Sequence, residues 1–181
     1  MSTLADHFAG FLRLRWFAAH GVRLAPGCKL GRMARVTRGF RDGHKGLVQL
    51  GACTELQTGA VLDAWGGSIV LGKNIFVGPY AVIYGHGGVD IGDQTLISMH
   101  CCIVSSNHAV PPPGTAIRSQ LDVLLPTKIG RDVWLGAGVI VLGGTTIGDG
   151  CVIGAGSVVT KDLPSGTVAV GVPAQPVHRR I

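Results

Sequence analysis

The sequence predicts an all-β fold, a parallel β-helix wound from short strands. Aliphatic residues recur at every sixth position, without a slip, from Ile129 through Leu135, Val141, Ile147 and Ile153 to Val159. The same spacing returns upstream in the triplets Leu24/Leu30/Val36, Leu50/Leu56/Leu62, Leu71/Val77/Ile83 and Ile91/Ile97/Ile103. The composition agrees, at 46% hydrophobic but only 6% aromatic, with 29 glycines. A period of six fits neither an amphipathic α-helix nor a long alternating strand. It fits short strands joined by tight corners, one inward side chain per strand, with glycine relieving backbone crowding. Stacked coils bury their aliphatics on one another, and rings would overpack so narrow an interior.

Taken in order, the elements follow from where the repeat holds and where it breaks. Residues 3–20 carry Leu4, Phe8, Phe11, Leu12 and Trp16 at helical spacing and read as an amphipathic helix. Residues 1–22 are then a helical cap on the open end of the coil, or a contact with a membrane surface helped by Arg13 and Arg15. Residues 23–165 form the β-helix. Within it, 37–49 is a Gly- and Arg-rich irregular turn, and 105–127 suspends the repeat altogether. Unstructured insertions of that length in a compact domain are usually functional. Residues 166–181 form a C-terminal tail.

Composition narrows the function. The chain has 181 residues, one domain's worth, a formal charge of +6 and a pI near 9.4. That balance favours an anionic ligand or surface, but no Lys/Arg block interleaved with aromatics points to nucleic acid. The five cysteines form no CxxC pair and read as reduced cytosolic thiols. No apolar run approaches the roughly 20 residues a membrane span needs. A secretory leader is not expected, because the N-terminus lacks a basic n-region.

The stretch from Lys128-Ile-Gly-Arg-Asp-Val-Trp-Leu-Gly-Ala-Gly through Ile147-Gly-Asp-Gly-Cys-Val-Ile-Gly-Ala-Gly-Ser-Val-Val-Thr-Lys-Asp162-Leu-Pro resembles the hexapeptide-repeat acyltransferases with a left-handed β-helix. Val170-Gly-Val-Pro-Ala-Gln-Pro-Val and the loop Ser106-Asn-His-Ala-Val-Pro extend the likeness. It is similar to the sugar and polysaccharide O-acetyltransferase branch, with the galactoside, maltose and xenobiotic acetyltransferases. The likeness is specific over 91–178 and rests on the repeat alone over 24–90. It implies left-handed coils, a homotrimer with active sites in grooves between subunits, acetyl-CoA as co-substrate and a cytoplasmic protein, in the cytosol or at the inner face of the membrane.

Acyl transfer to a hydroxyl needs a base, polarisation of the thioester carbonyl and alignment of the reactants. Histidine suits the first task, since its ordinary pKa lies near working pH. Among His7, His20, His44, His86, His100, His108 and His178, only His108 sits in the long insertion, and it matches the family's catalytic histidine. Asp93 and Asp122 both stand as candidates for a carboxylate partner. The resemblance also assigns a CoA site. Trp134 and Ala155 line the pantetheine groove, Gly136 and Ala137 approach the thioester, and Thr160 and Lys161 contact CoA, Lys161 as a partner for phosphate. Arginines that relatives carry at Gln175 and His178 are displaced here to Arg179 and Arg180, so Arg179 is the expected basic contact of the tail. Tyr84, His86, His100, Asn107 and Gln120 are expected to meet a small-molecule or glycan acceptor. No metal is expected, because the zinc-dependent branch of this fold needs two histidines five apart. An amino-sugar N-acetyltransferase and a catalytically silent scaffold are the alternatives.

Overall fold

A computed structural model describes residues 4–180, with side chains from Gly10 onward. Three parallel sheets form the faces of a triangular coil. The first face is built of Arg23–Leu24, Leu47–Leu50, Ser68–Leu71, Val89–Ile91, Thr127–Ile129 and Thr146–Ile147. The second runs from Lys29–Leu30 through Glu55–Leu56, Phe76–Val77, Leu96–Ile97, Trp134–Leu135 and Val152–Ile153 to Thr167–Val170. The third comprises Arg35–Thr37, Val61–Asp63, Val82–Tyr84, Cys102–Val104, Ile140–Val141 and Val158–Val159. Every named repeat residue is buried except Leu24, which is half-buried at the open end.

Register explains how the interior is filled. On the second face Leu56, Val77, Ile97, Leu135 and Ile153 pair in sequence and are at most 1% exposed. Each full burial of such a side chain contributes roughly 1.5–3 kcal/mol. A second inward residue lies two positions earlier and is usually smaller: Ala60, Ala81, Thr95, Cys101, Thr145, Cys151 and Ser157 are all buried. Cys28, Cys101 and Cys151 are therefore packing residues, and burial pushes all three thiols up.

The glycines one position after the repeat residue serve close approach. A Cβ on Gly92 would lie 2.6 Å from the Arg131 nitrogen and 2.7 Å from the Gly130 carbonyl carbon in the next coil. Left-handed backbone is needed elsewhere in the corner. There Gly138 and Gly156 have φ of 69° and 70°, and Tyr80 and His100 occupy the same place with φ of 56° and 58°.

Both departures from the repeat leave the coil at the corner between the third and first faces. Residues 37–49 contain a small antiparallel hairpin, Phe40–Arg41 with His44–Lys45. The long insertion is a second one, Ser106–His108 paired with Asp122–Leu124. At the C-terminus, Thr167–Val170 still pairs with Val152–Ile153, so the coil continues into the segment expected to be tail. Gln175–Arg179 then folds back antiparallel on that last strand.

The N-terminal helix, Leu4–Ala19, lies over the first coil, but with a face other than the expected one. Phe11, Leu12 and Trp16 are about half exposed, and the side chains of Leu4 and Phe8 lie outside the described residues. Gly10, Leu14 and Phe17 face the coil instead, and Arg13 donates to the Gly31 and Ala34 carbonyls. Arg13, Leu14 and Phe17 supply the docking that spacing alone assigned to Phe11, Leu12 and Trp16. Among the described residues no helix is long and apolar enough to cross a membrane.

Gly92→Ala is expected to destabilise the fold by about 1–3 kcal/mol, since the clash is with backbone that cannot move aside. Chemical denaturation followed by circular dichroism measures it, and a midpoint equal to wild type would contradict the close-approach account.

Candidate active site

Two hairpins on one corner bring together residues far apart in sequence. Ser105 roots the longer hairpin: its hydroxyl donates to the Tyr84 carbonyl at 2.8 Å and accepts the Gly87 N–H at 3.0 Å. Thr127 closes the other side, donating to the Val104 carbonyl at 2.8 Å. The antiparallel register between these roots sets His108 directly opposite Asp122.

The pairing is tight. His108 Nδ1 lies 2.8 Å from Asp122 Oδ1, and its side chain is 57% exposed. The second carboxylate oxygen, Oδ2, lies 3.2 Å from Nδ1 of His86, whose side chain is only 7% exposed. One carboxylate thus joins two imidazoles, one turned toward solvent and one buried. Burial lowers the His86 pKa below the usual imidazole range. Asp122 opposes that shift, while the charge of Arg41 and that of a protonated His108 add to it.

Aromatic groups complete the corner. Trp65 stacks on Tyr84 with ring centroids 5.8 Å apart and meets His86 edge-on at 6.4 Å. Trp65 is half exposed and has φ of 46°, uncommon for so bulky a residue. Asp63 accepts its N–H at 3.0 Å and holds the turn. Burial, then the charges of Asp63 and Asp122, raise the Tyr84 phenol above its ordinary pKa. Arg41, from the shorter hairpin, donates to the His86 carbonyl at 3.0 Å.

The expected site residues separate into those gathered here and those placed elsewhere. His108, Tyr84 and Asn107 lie at this corner, with Asn107 Oδ1 accepting the His108 N–H at 3.0 Å. His86 is here too, but at 5% exposure it has almost no surface for an acceptor and faces Asp122 instead. His100 is on a different corner, between the second and third faces, stacked on Tyr80 at 5.6 Å. Gln120 is at the outer end of the long hairpin, bonded to Ser119. Of the two carboxylate candidates, Asp93 accepts the Lys73 N–H at 2.8 Å in a coil corner, and Asp122 is the one beside His108.

The expected CoA residues run along the later coils. Trp134 is half exposed on the second face, its indole N–H donating to Ser98 Oγ at 3.2 Å. Ala137 and Ala155 are exposed on the corner that carries His100. Gly136 is buried there and donates its N–H to the Ile153 carbonyl at 2.8 Å, so that amide is not available to polarise a thioester. Thr160 and Lys161 are exposed on the hairpin corner, two coils beyond His108. Arg179 donates to the Ser165 carbonyl at 2.9 Å, and Arg180 pairs with Asp132 at 2.8 Å. A groove of about 520 Å³ on the first face, over Asp90, Lys128 and Asp149, does not include His108.

Trp65, Asp63 and Arg41 were not among the expected residues. Their signal was indirect. Each precedes or interrupts the same corner two or three coils before the insertion, and stacking superimposes equivalent corners.

Comparison with known proteins agrees with this architecture. Residues 126–161 match the bacterial transferase hexapeptide family, described as six repeats. A protein of Escherichia coli K12 named as a putative lipopolysaccharide biosynthesis O-acetyl transferase is 36% identical over 149 residues, 75% of this chain and 74% of that protein. The crystal structure of a galactoside acetyltransferase in complex with coenzyme A superposes with a TM-score of 0.63 at 28% identity, covering 81% of this chain and 64% of that one. An N-acyltransferase from Bacillus cereus, in complex with dTDP and coenzyme A, shares the fold at a TM-score of 0.78 and 19% identity, covering 92% and 89%. The chain belongs to the hexapeptide-repeat acetyltransferase family, and its three-faced coil is the left-handed β-helix of that family. It spans 55–58% of the length of the first three curated relatives it matches, which are 34–38% identical.

Asp122→Asn is expected to lower the His86 pKa further, because the carboxylate is the one neighbour that favours its protonated form. NMR titration of the His86 ring protons measures this. An unchanged or raised midpoint would contradict the contact.

Proposed function

We propose that this protein is an acetyl-CoA-dependent O-acetyltransferase that acetylates a hydroxyl of a sugar or glycan intermediate. The observation that carries the reading is the 2.8 Å contact between Asp122 Oδ1 and His108 Nδ1. A carboxylate accepting the Nδ1 proton fixes the tautomer in which Nε2 is a bare acceptor, and leaves that nitrogen to face the exposed side of the ring. Nε2 of His108 takes the acceptor hydroxyl proton as its oxygen attacks the thioester carbonyl. The carbon–sulfur bond then breaks, and the imidazolium returns the proton to the departing CoA sulfur. Asp122 steadies the transient positive charge.

The acceptor lies against the half-exposed Trp65 ring and the Tyr84 hydroxyl, an apolar plate beside a polar tip of the kind that suits a sugar. Asn107 borders it. CoA runs along Trp134, Ala137 and Ala155, with Thr160, Lys161 and Arg179 toward its phosphates. The Escherichia coli relative named as an O-acetyl transferase, and the relative crystallised with coenzyme A, support this donor and this chemistry. A homotrimer fits the same reading. Leu96, Trp134, Ile140 and Leu142 are partly exposed on the outer faces, and a neighbouring copy would cover such surface.

Acetyl-CoA-dependent thiol release with a panel of methyl glycosides tests the reading. His108→Ala is expected to lower kcat by about 10²–10⁴-fold. Turnover retained in that variant would contradict the base assignment, and an amide product from amino sugars would replace the O-linked acceptor. Lys161→Ala is expected to raise the KM for acetyl-CoA several-fold, roughly the effect of one phosphate contact, with kcat kept. An unchanged KM would remove Lys161 from the donor site.

A further inference from the structure

We infer that His86 is a positioning residue for His108, acting through Asp122. The inference rests on the proposed role of His108 as base, and adds what holds that base in place.

Asp122 has two carboxylate oxygens, and each meets one imidazole: Oδ1 at 2.8 Å from His108 and Oδ2 at 3.2 Å from His86. Held at one oxygen only, an aspartate at the edge of a two-stranded hairpin could turn about its side-chain torsions and carry His108 with it. Held at both, its plane is set. The hairpin is joined to the coil by its roots, whereas His86 belongs to the coil corner itself. The His86–Asp122 contact therefore ties the exposed ring of His108 to the rigid stack.

His86 is itself held on several sides. Trp65 meets its ring edge-on at 6.4 Å, from the equivalent corner one coil earlier. Arg41 of the shorter hairpin donates to its carbonyl at 3.0 Å. The charged groups facing it are Asp122 and His108 on the long hairpin and Arg41 on the short one. Burial, Arg41 and His108 all disfavour a second proton on this ring, and its pKa is lowered. A neutral imidazole with its proton on Nδ1 donates to the carboxylate without neutralising it. A lysine or arginine in its place would form a full ion pair and draw the carboxylate away from His108. A buried, neutral donor leaves Asp122 shared between the two rings.

The test is a double-substitution cycle with the methyl glycoside turned over fastest. His86→Phe is expected to lower kcat about tenfold, the scale of one hydrogen bond to a charged group, and to leave the KM for acetyl-CoA unchanged. His86→Gln, whose amide can donate to Oδ2, is expected to restore most of kcat. The losses in His86→Phe and Asp122→Asn are expected not to add when combined, because both act through one carboxylate. A merely structural role predicts additive losses and no rescue by Gln. If kcat in His86→Phe equals wild type while His108→Ala is silent, the positioning role alone is overturned. If His108→Ala keeps its turnover, the base assignment falls and the inference with it. Should His86→Phe not fold, the wild-type protein answers through its imidazole N–H protons. Two downfield signals, one from each histidine and both lost in Asp122→Asn, are expected. A His86 signal that survives in Asp122→Asn would overturn the inference.

Discussion

An inward aliphatic side chain at every sixth position, stacked on its equivalent in the coil before, leaves this molecule no interior room for extra chain. Strands hydrogen-bond at a spacing of about 4.8 Å, so each coil must repeat the outline of the last. Any added residues must leave at a corner, and must return at the same corner for the register to resume. Ser105 and Thr127 mark one such exit and return, and the Phe40–Lys45 hairpin marks another. The site follows from this constraint. Two excursions from one corner, together with the corners between them, gather side chains that the coil alone would keep apart.

The constraint also separates rigid parts from adjustable ones. Tyr84 belongs to the stack, paired with Asp63 and Val104 on either side, and His86 follows Gly85, whose backbone is bonded to Asp63 and Ser68 of the coil before. His108 and Asp122 belong to a hairpin that touches the stack at its roots. Chemistry that moves a proton at His108 needs that ring aligned to within a few tenths of an ångström. Asp122 provides the link because it stands directly across the hairpin from His108 and within reach of the coil. The outer faces are left with Leu96, Trp134 and Ile140 exposed, the surface that the proposed trimer would cover.

Much of this was legible in the sequence, for a physical reason in each case. Period six reports the inward positions directly, so Leu56 through Ile153 could be assigned to the core before any coordinates. His108 was legible because the repeat stops just before it. Asp122 was not, since thirteen residues lie between the hairpin's strands and no turn motif sets their register. His86 looked like an acceptor contact because burial at a corner depends on the neighbouring hairpins and not on the repeat. His100 shares its spacing from a repeat residue with groups on another corner, and only the count of corners separates it from His108. The helix misled for a different reason. Its rings have helical spacing, yet the coil end presents the Gly31 and Ala34 carbonyls to the helix, and Arg13 donates to both where Phe11 and Trp16 cannot. Left-handed corners at Tyr80 and His100 are invisible to pattern reading, which expects glycine there.

The central claim is that Asp122 fixes the tautomer of His108 and leaves Nε2 bare toward the acceptor. Imidazole ¹⁵N chemical shifts of the uniformly labelled protein, recorded where His108 is neutral, test it most directly. The account predicts a pyrrole-type shift at Nδ1 of His108 and a pyridine-type shift at Nε2. A proton found on Nε2, with Nδ1 bare, would contradict it.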